Sequence, residues 1–174
     1  LIRQLEQEGI LDRQVEYLPD DTTLEEYQAT QTCLTRPEVS VLMGYSKINI
    51  YDKILETNLP DDPFFIKYLR LYFPPLLQEK YDEEILHHPL RREIIATYAV
   101  NQLINRMGAS YINEAMSVTG AFIQDIFKAF FTVSEVFDIQ HVWDEIEKLD
   151  NKISTTIQTN ARLDVYKIVR RITL

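Results

Sequence analysis

His87 and His88 are the first residues to ask for chemistry, because Glu83 and Glu84 stand one turn before them. A Glu at i and a His at i+4 share a helix face, so a pair of metal ligands can be written. Structural and catalytic zinc sites, however, want three or four convergent ligands. The adjoining Pro89 marks a helix end, and imidazoles beside its negative pole read first as a charge pairing. His141, the third histidine, is expected on the wet side of a stripe around Trp143. The single cysteine, Cys33, excludes an internal disulfide, points to a reducing compartment, and lacks the neighbouring base that would activate it. No Ser, His and Asp grouping stands out. No catalytic residue, no cofactor-binding residue and no metal ligand is assigned.

Nucleotide chemistry is excluded on firmer ground. Only four glycines occur in 174 residues, Gly9, Gly44, Gly108 and Gly120, and all stand far apart. A dinucleotide turn and a phosphate loop both need clustered glycines so that backbone can approach phosphate. Formal charge is −9, which argues against nucleic acid and anionic lipid partners. The basic doublets Arg91-Arg92 and Arg170-Arg171 read as solvated faces or ion pairs. Eight of the 27 acidic and two of the 18 basic residues fall in positions 1–33, leaving a nearly balanced remainder. The most apolar stretch, residues 121–137, is interrupted by Asp125, Lys128 and Glu135 and is too short for a membrane span.

Helix signals dominate the elements that would position any site. Thr35-Arg36-Pro37-Glu38 has the pattern of a capping box with Pro in the first turn, and Val39, Leu42, Met43, Ser46, Ile50 and Ile54 follow at helical spacing. Shorter helices are predicted before Pro74-Pro75, over residues 76–81 and over residues 82–87. A long helix opens near Pro89 and stops at Gly108 in the left-handed conformation. Beyond it come a helix over 110–116, an aromatic-rich one opening at Thr119 or Gly120, one capped by Asp138 with a stripe of Ile139, Val142, Trp143, Ile146 and Leu149, and a turn at Asp150-Asn151. The last helix should bury Ile157, Ala161, Val165, Ile168, Val169 and Ile172. Strand alternation is absent, so an all-α fold is expected, an irregular bundle of roughly eight to ten helices. Residues 1–33 are taken as an acidic helical appendage continuing an upstream region, and 34–174 as the helical domain. Both termini lie inside helix-like strings, LIRQLEQEGIL and VRRITL, and look cut.

Two surfaces carry functional alternatives. Phe122, Phe127, Phe130, Phe131 and Phe137 are too many for one stripe; core packing is the first reading, and Phe122 and Phe131, off the stripe, are the candidates for an exposed interface if the segment packs on a catalytic domain. On the 89–108 helix, Ile94, Thr97, Tyr98, Asn101 and Asn105 share one side, opposite Ala96, Ala99, Val100, Leu103 and Met107. That polar stripe reads as at least partly enclosed. Asn101 then either ties neighbouring groups together or lines an amide pocket for an amino-acid effector.

Several strings in order resemble the C-terminal helical region of the large bacterial NAD-specific glutamate dehydrogenases: LTRPE at 34–38 followed by VSVLMGYSKINIYD, LPDDP at 59–63, LYFP at 71–74, LRREIIAT at 90–97, NRMG at 105–108, EVFD at 135–138 and LDN at 149–151. The resemblance covers most of 34–174. It implies a cytoplasmic enzyme that deaminates L-glutamate to 2-oxoglutarate and ammonium while reducing NAD. It also implies that the Lys-bearing glutamate site and the nucleotide-binding domain lie elsewhere in a longer polypeptide. This region would then be noncatalytic, serving scaffold, assembly or regulatory ends beside the upstream catalytic domain of a homo-oligomer. NAD is implied for the full-length enzyme and no cofactor for this segment. The rival readings are a free-standing helical interaction module and a helical small-ligand receptor.

Overall fold

The structure, a computed structural model, describes residues 1–174. Eleven α-helices occur: α1 (Ile2–Gln7), α2 (Asp21–Ala29), α3 (Arg36–Leu55), α4 (Ile66–Tyr72), α5 (Pro75–Lys80), α6 (Asp82–Leu86), α7 (Arg91–Met107), α8 (Tyr111–Thr119), α9 (Ile123–Val136), α10 (Ile139–Glu147) and α11 (Thr155–Thr173). Two 3₁₀ turns, Leu59–Asp61 and Pro63–Phe65, join α3 to α4. The fold is all-α. The helix number exceeds the expected eight to ten because the acidic N-terminal segment forms two helices of its own.

Local chemistry explains most boundaries. Thr35 N donates to Glu38 Oε2 at 2.6 Å and Glu38 N to Thr35 Oγ1 at 3.5 Å, completing the capping box of α3. The helix within LIRQLEQEGIL ends at Gln7. Gly9 at φ +70° lets Ile10 N donate to Leu5 O and Gly9 N to Glu6 O, a Schellman stop. Gly120 does not open α9 but ends α8, again with positive φ. Asp138 is itself left-handed (φ 48°, ψ 44°) and makes no side-chain cap. It turns the chain between α9 and α10, a conformation that Asp tolerates better than most residues. Pro89 lies in the turn ahead of α7, whose first residue is Arg91.

The chain forms two compact units. The first is residues 1–104 with 108–110, the second residues 105–107 with 111–174. The division falls near the end of α7. In the first unit Ile2, Leu5, Leu11, Leu18 and Leu42 share one apolar cluster, so residues 1–33 pack on α3. Carboxylates hold the same contact. Glu8 accepts from Asn49 Nδ2 at 2.8 Å and Lys53 Nζ at 3.0 Å, and Glu16 from Tyr45 OH at 2.6 Å. The largely covered Arg13 guanidinium bridges Glu6 and Asp21.

Burial raises the pKa of Glu8, but hydrogen bonds from Gln4, Lys53 and Asn49 outweigh it and leave the group below its ordinary value. A carboxylate depressed in the folded state stabilises fully above its unfolded pKa and loses that contribution as pH falls through the folded one. Acid should therefore release α1 from α3 first, below about pH 4. Hydrogen exchange followed by mass spectrometry should show protection at Leu5 and Glu8 falling there, ahead of α7. Glu8→Gln should weaken that protection at neutral pH and flatten its dependence on acid.

In the second unit, α9 packs with α8, α10 and α11. Ile123, Ile126, Phe127, Phe130 and Phe131 are all buried. Phe131 is not a surplus surface ring: it stands edge-on to Phe130 with centroids 5.3 Å apart. Helix α11 is rotated relative to the expected stripe. Gln158 is buried and donates to Ile146 O at 3.0 Å, satisfying a carbonyl at the end of α10. On the same helix Val169 is buried, while Ile157, Ile168 and Ile172 are exposed.

Candidate functional site

The histidines do not assemble a metal centre. No group of three or more His, Cys, Asp or Glu side chains converges anywhere. His87 is the C-terminal cap of α6, with Nδ1 2.8 Å from Glu83 O and 3.9 Å from Glu83 Oε2. His88 Nδ1 accepts from Leu90 N at 3.1 Å, and its ring centroid lies 5.9 Å from that of Phe73. His141 is on the exposed side of α10, 4.0 Å from Glu145 Oε1. Cys33 is exposed.

Arg91, Arg92 and Arg170 of the two basic doublets are engaged within their own units. Arg91 and Arg92 close on Asp61, and Arg92 Nη2 also donates to Leu55 O at 2.8 Å and Thr57 O at 3.1 Å, capping the end of α3. Arg170 pairs with Glu114, beside a 2.5 Å contact between Tyr111 OH and Thr173 Oγ1. Arg106 pairs with Glu147 at 3.0 Å and lies over the Trp143 ring. A cavity of about 240 Å³ between Leu69, Ile95 and His87 has its polar groups, Asp61 and Arg91, committed to one another.

The arrangement that most resembles a site is a groove of about 350 Å³ between α3 and α7. Lys47, Ile48, Tyr51 and Asp52 line one wall; Thr97, Val100 and Asn101 line the other. Burial, with the negative charges of Glu93 and Asp52 nearby, raises the Tyr51 phenol above its ordinary pKa, so it stands as a protonated donor. Sequence reasoning found Thr97 and Asn101 through their shared helix face. It missed the α3 wall, because nothing local couples positions fifty residues apart.

The polar stripe on α7 is partly enclosed. Ile95, Ala96, Ala99, Val100, Leu103 and Ile104 are buried, whereas Thr97, Tyr98 and Asn101 are half-buried and Asn105 is exposed. The Asn101 side chain makes no hydrogen bond within the protein, so it does not tie neighbouring groups together. Asn101→Ala should change stability by less than about 0.5 kcal/mol, as for surface positions away from packed or bonded features. A denaturant melt giving a loss of about 1–3 kcal/mol would mean instead that the amide has buried partners.

The fold is strandless, and its glycines end helices or sit singly inside one, so the region is all-α. The family described as glutamate dehydrogenase, C-terminal, matches residues 31–174, and the chain belongs to it. The NAD-specific glutamate dehydrogenases of Halomonas elongata and Pseudomonas aeruginosa are 36% and 35% identical to it over 172 and 173 residues. That of Mycobacterium tuberculosis is 29% identical over 170 residues. These matches cover 99%, 99% and 98% of this chain but only 11%, 11% and 10% of the relatives. The chain thus spans about a tenth of the length of the relatives it matches. No helix is long and apolar enough to cross a membrane.

Proposed function

We propose that this chain is the noncatalytic helical region of a cytoplasmic, homo-oligomeric NAD-dependent glutamate dehydrogenase. That enzyme converts L-glutamate, NAD and water to 2-oxoglutarate, ammonium and NADH, and this region braces its catalytic part or its assembly. Membership of the family and the small share of each relative that is matched support the placement. Residues 1–33, which precede most of the family match, would continue the upstream region while resting on α3. NAD would be held outside these 174 residues, since their four glycines are isolated and no strand-turn-helix unit is present to carry a phosphate cradle.

The observation that carries the bracing role is apolar surface. Across the end of α4 and the start of α5, Leu71, Tyr72, Leu76 and Leu77 are all exposed, Leu76 to 79%. Phe122, at 70%, and Val136 and Phe137 do the same in the second unit. Apolar patches of this kind mark contact surfaces on soluble proteins. The purified chain is expected to self-associate, and neither to bind NAD nor to form NADH from glutamate. A strictly monomeric chain would count against the contact role, and glutamate-dependent NADH formation by it would overturn the noncatalytic assignment.

A further inference from the structure

The groove between α3 and α7 has a chemistry of its own, independent of any catalytic assignment. Its volume, about 350 Å³, suits a small molecule. Five polar side chains line it, Lys47, Tyr51, Asp52, Thr97 and Asn101, and none forms a hydrogen bond or ion pair within the protein. Their neighbours behave differently: Lys53 is paired with Glu8, and Arg91 and Arg92 with Asp61. Ser40, Thr119 and Thr173 each return their hydroxyl to the carbonyl four residues earlier, the usual habit inside a helix. Thr97 does not, and its hydroxyl is left to the groove. Ile48, 56% exposed in the middle of α3, and the buried Val100 supply an apolar surface between the polar groups.

The charges are ordered along α3. Lys47 and Asp52 are five residues apart, about 7.5 Å along the helix axis, with Ile48 and Tyr51 between them. We propose that the groove binds a small ω-amino carboxylate, a zwitterion whose opposite charges stand at the two ends of an apolar chain. Its carboxylate meets Lys47, its ammonium meets Asp52, and its chain lies over Ile48 and Val100. Thr97 and Asn101, one turn apart on α7, supply hydrogen bonds to the polar ends. Binding joins α3 to α7 and raises the stability of the first unit in proportion to occupancy.

The test is calorimetric titration of the native polypeptide with 6-aminohexanoate, alongside its isomer L-norleucine, which carries both charges on one carbon, and hexanoate, which lacks the ammonium. The expected result is that 6-aminohexanoate binds at least about tenfold more tightly than either, and that Lys47→Gln and Asp52→Asn each weaken it about tenfold or more. Both side chains stand at the rim, so unliganded melting temperatures should be unchanged. Should either variant melt early, the paired exchange Lys47→Asp with Asp52→Lys must restore binding with the ligand reversed. No binding of 6-aminohexanoate by about 10 mM, or tighter binding of norleucine, overturns the proposal. Binding that survives both single substitutions undiminished belongs to another site and overturns it equally.

Discussion

Phe127→Ala is expected to destabilise the second unit by about 3–5 kcal/mol, the range for truncating a fully buried aromatic ring. Phe127 is 0% exposed, and its helix, α9, is the one that packs with α8, α10 and α11. Removing the ring leaves a cavity that Phe130 and Phe131 cannot close without leaving their edge-on contact. Domains of this size are stable by only about 5–15 kcal/mol, so the variant should stand near its unfolding threshold. Trp143 makes the measurement direct. It is the sole tryptophan, it is buried on α10, and Arg106 lies over its ring 5.1 Å from the centroid. Its fluorescence in a urea titration therefore reports the second unit alone. A loss below about 1 kcal/mol would mean that α9 is not the packing centre described.

Glycine substitutions should give opposite signs at two positions. Gly108 ends α7 at φ 85°, ψ 164°, a region essentially closed to residues with a Cβ, rather than in the left-handed helical conformation expected from the sequence. An added Cβ would meet nothing within 4 Å, so the penalty of Gly108→Ala is conformational alone, about 1–3 kcal/mol. Gly44 is exposed inside α3, where an added Cβ also meets nothing. Alanine favours a helix interior over glycine by about 0.8–1.0 kcal/mol, so Gly44→Ala should stabilise. Thermal melts should separate the two variants by several degrees, at about 2–4 °C per kcal/mol for a chain of this length. Equal effects of the two would refute the backbone assignment at Gly108.

What could be read from the sequence divides along physical lines. Boundaries set by a few adjacent residues were legible, the Thr35-Pro37-Glu38 start of α3 and the Gly108 stop of α7 among them, because caps act within one turn. The exposed ring of Phe122 was legible too, as an aromatic lying off the α9 stripe. Contacts made across the chain were not. Nothing near Leu5 announces that it will pack with Leu42, so where residues 1–33 pack is not legible in the sequence. The rotation of α11 goes with contacts to other helices, among them Gln158 to Ile146 O and Arg170 to Glu114, which no periodicity encodes. Because an apolar stripe on a helix predicts burial only when a partner is present, Ile157, Ile168 and Ile172 were placed inside and lie outside. The α3 and α7 groove follows the same rule: its α7 half was visible as a polar face, and its α3 half had to wait for the fold.

The most direct test of the noncatalytic assignment separates contact from chemistry in the native polypeptide. Tyr72→Asp with Leu76→Asp places two charges on the exposed α4 and α5 surface. Steady-state kinetics with glutamate and NAD, run beside light-scattering mass and melting temperature, then reads both properties. The account predicts a lowered mass or melting temperature, with unchanged KM for NAD and for glutamate in the enzyme that remains assembled. Intact mass and melting temperature with a KM raised about tenfold, equivalent to 1.4 kcal/mol of binding, would contradict it by placing this surface in the substrate site.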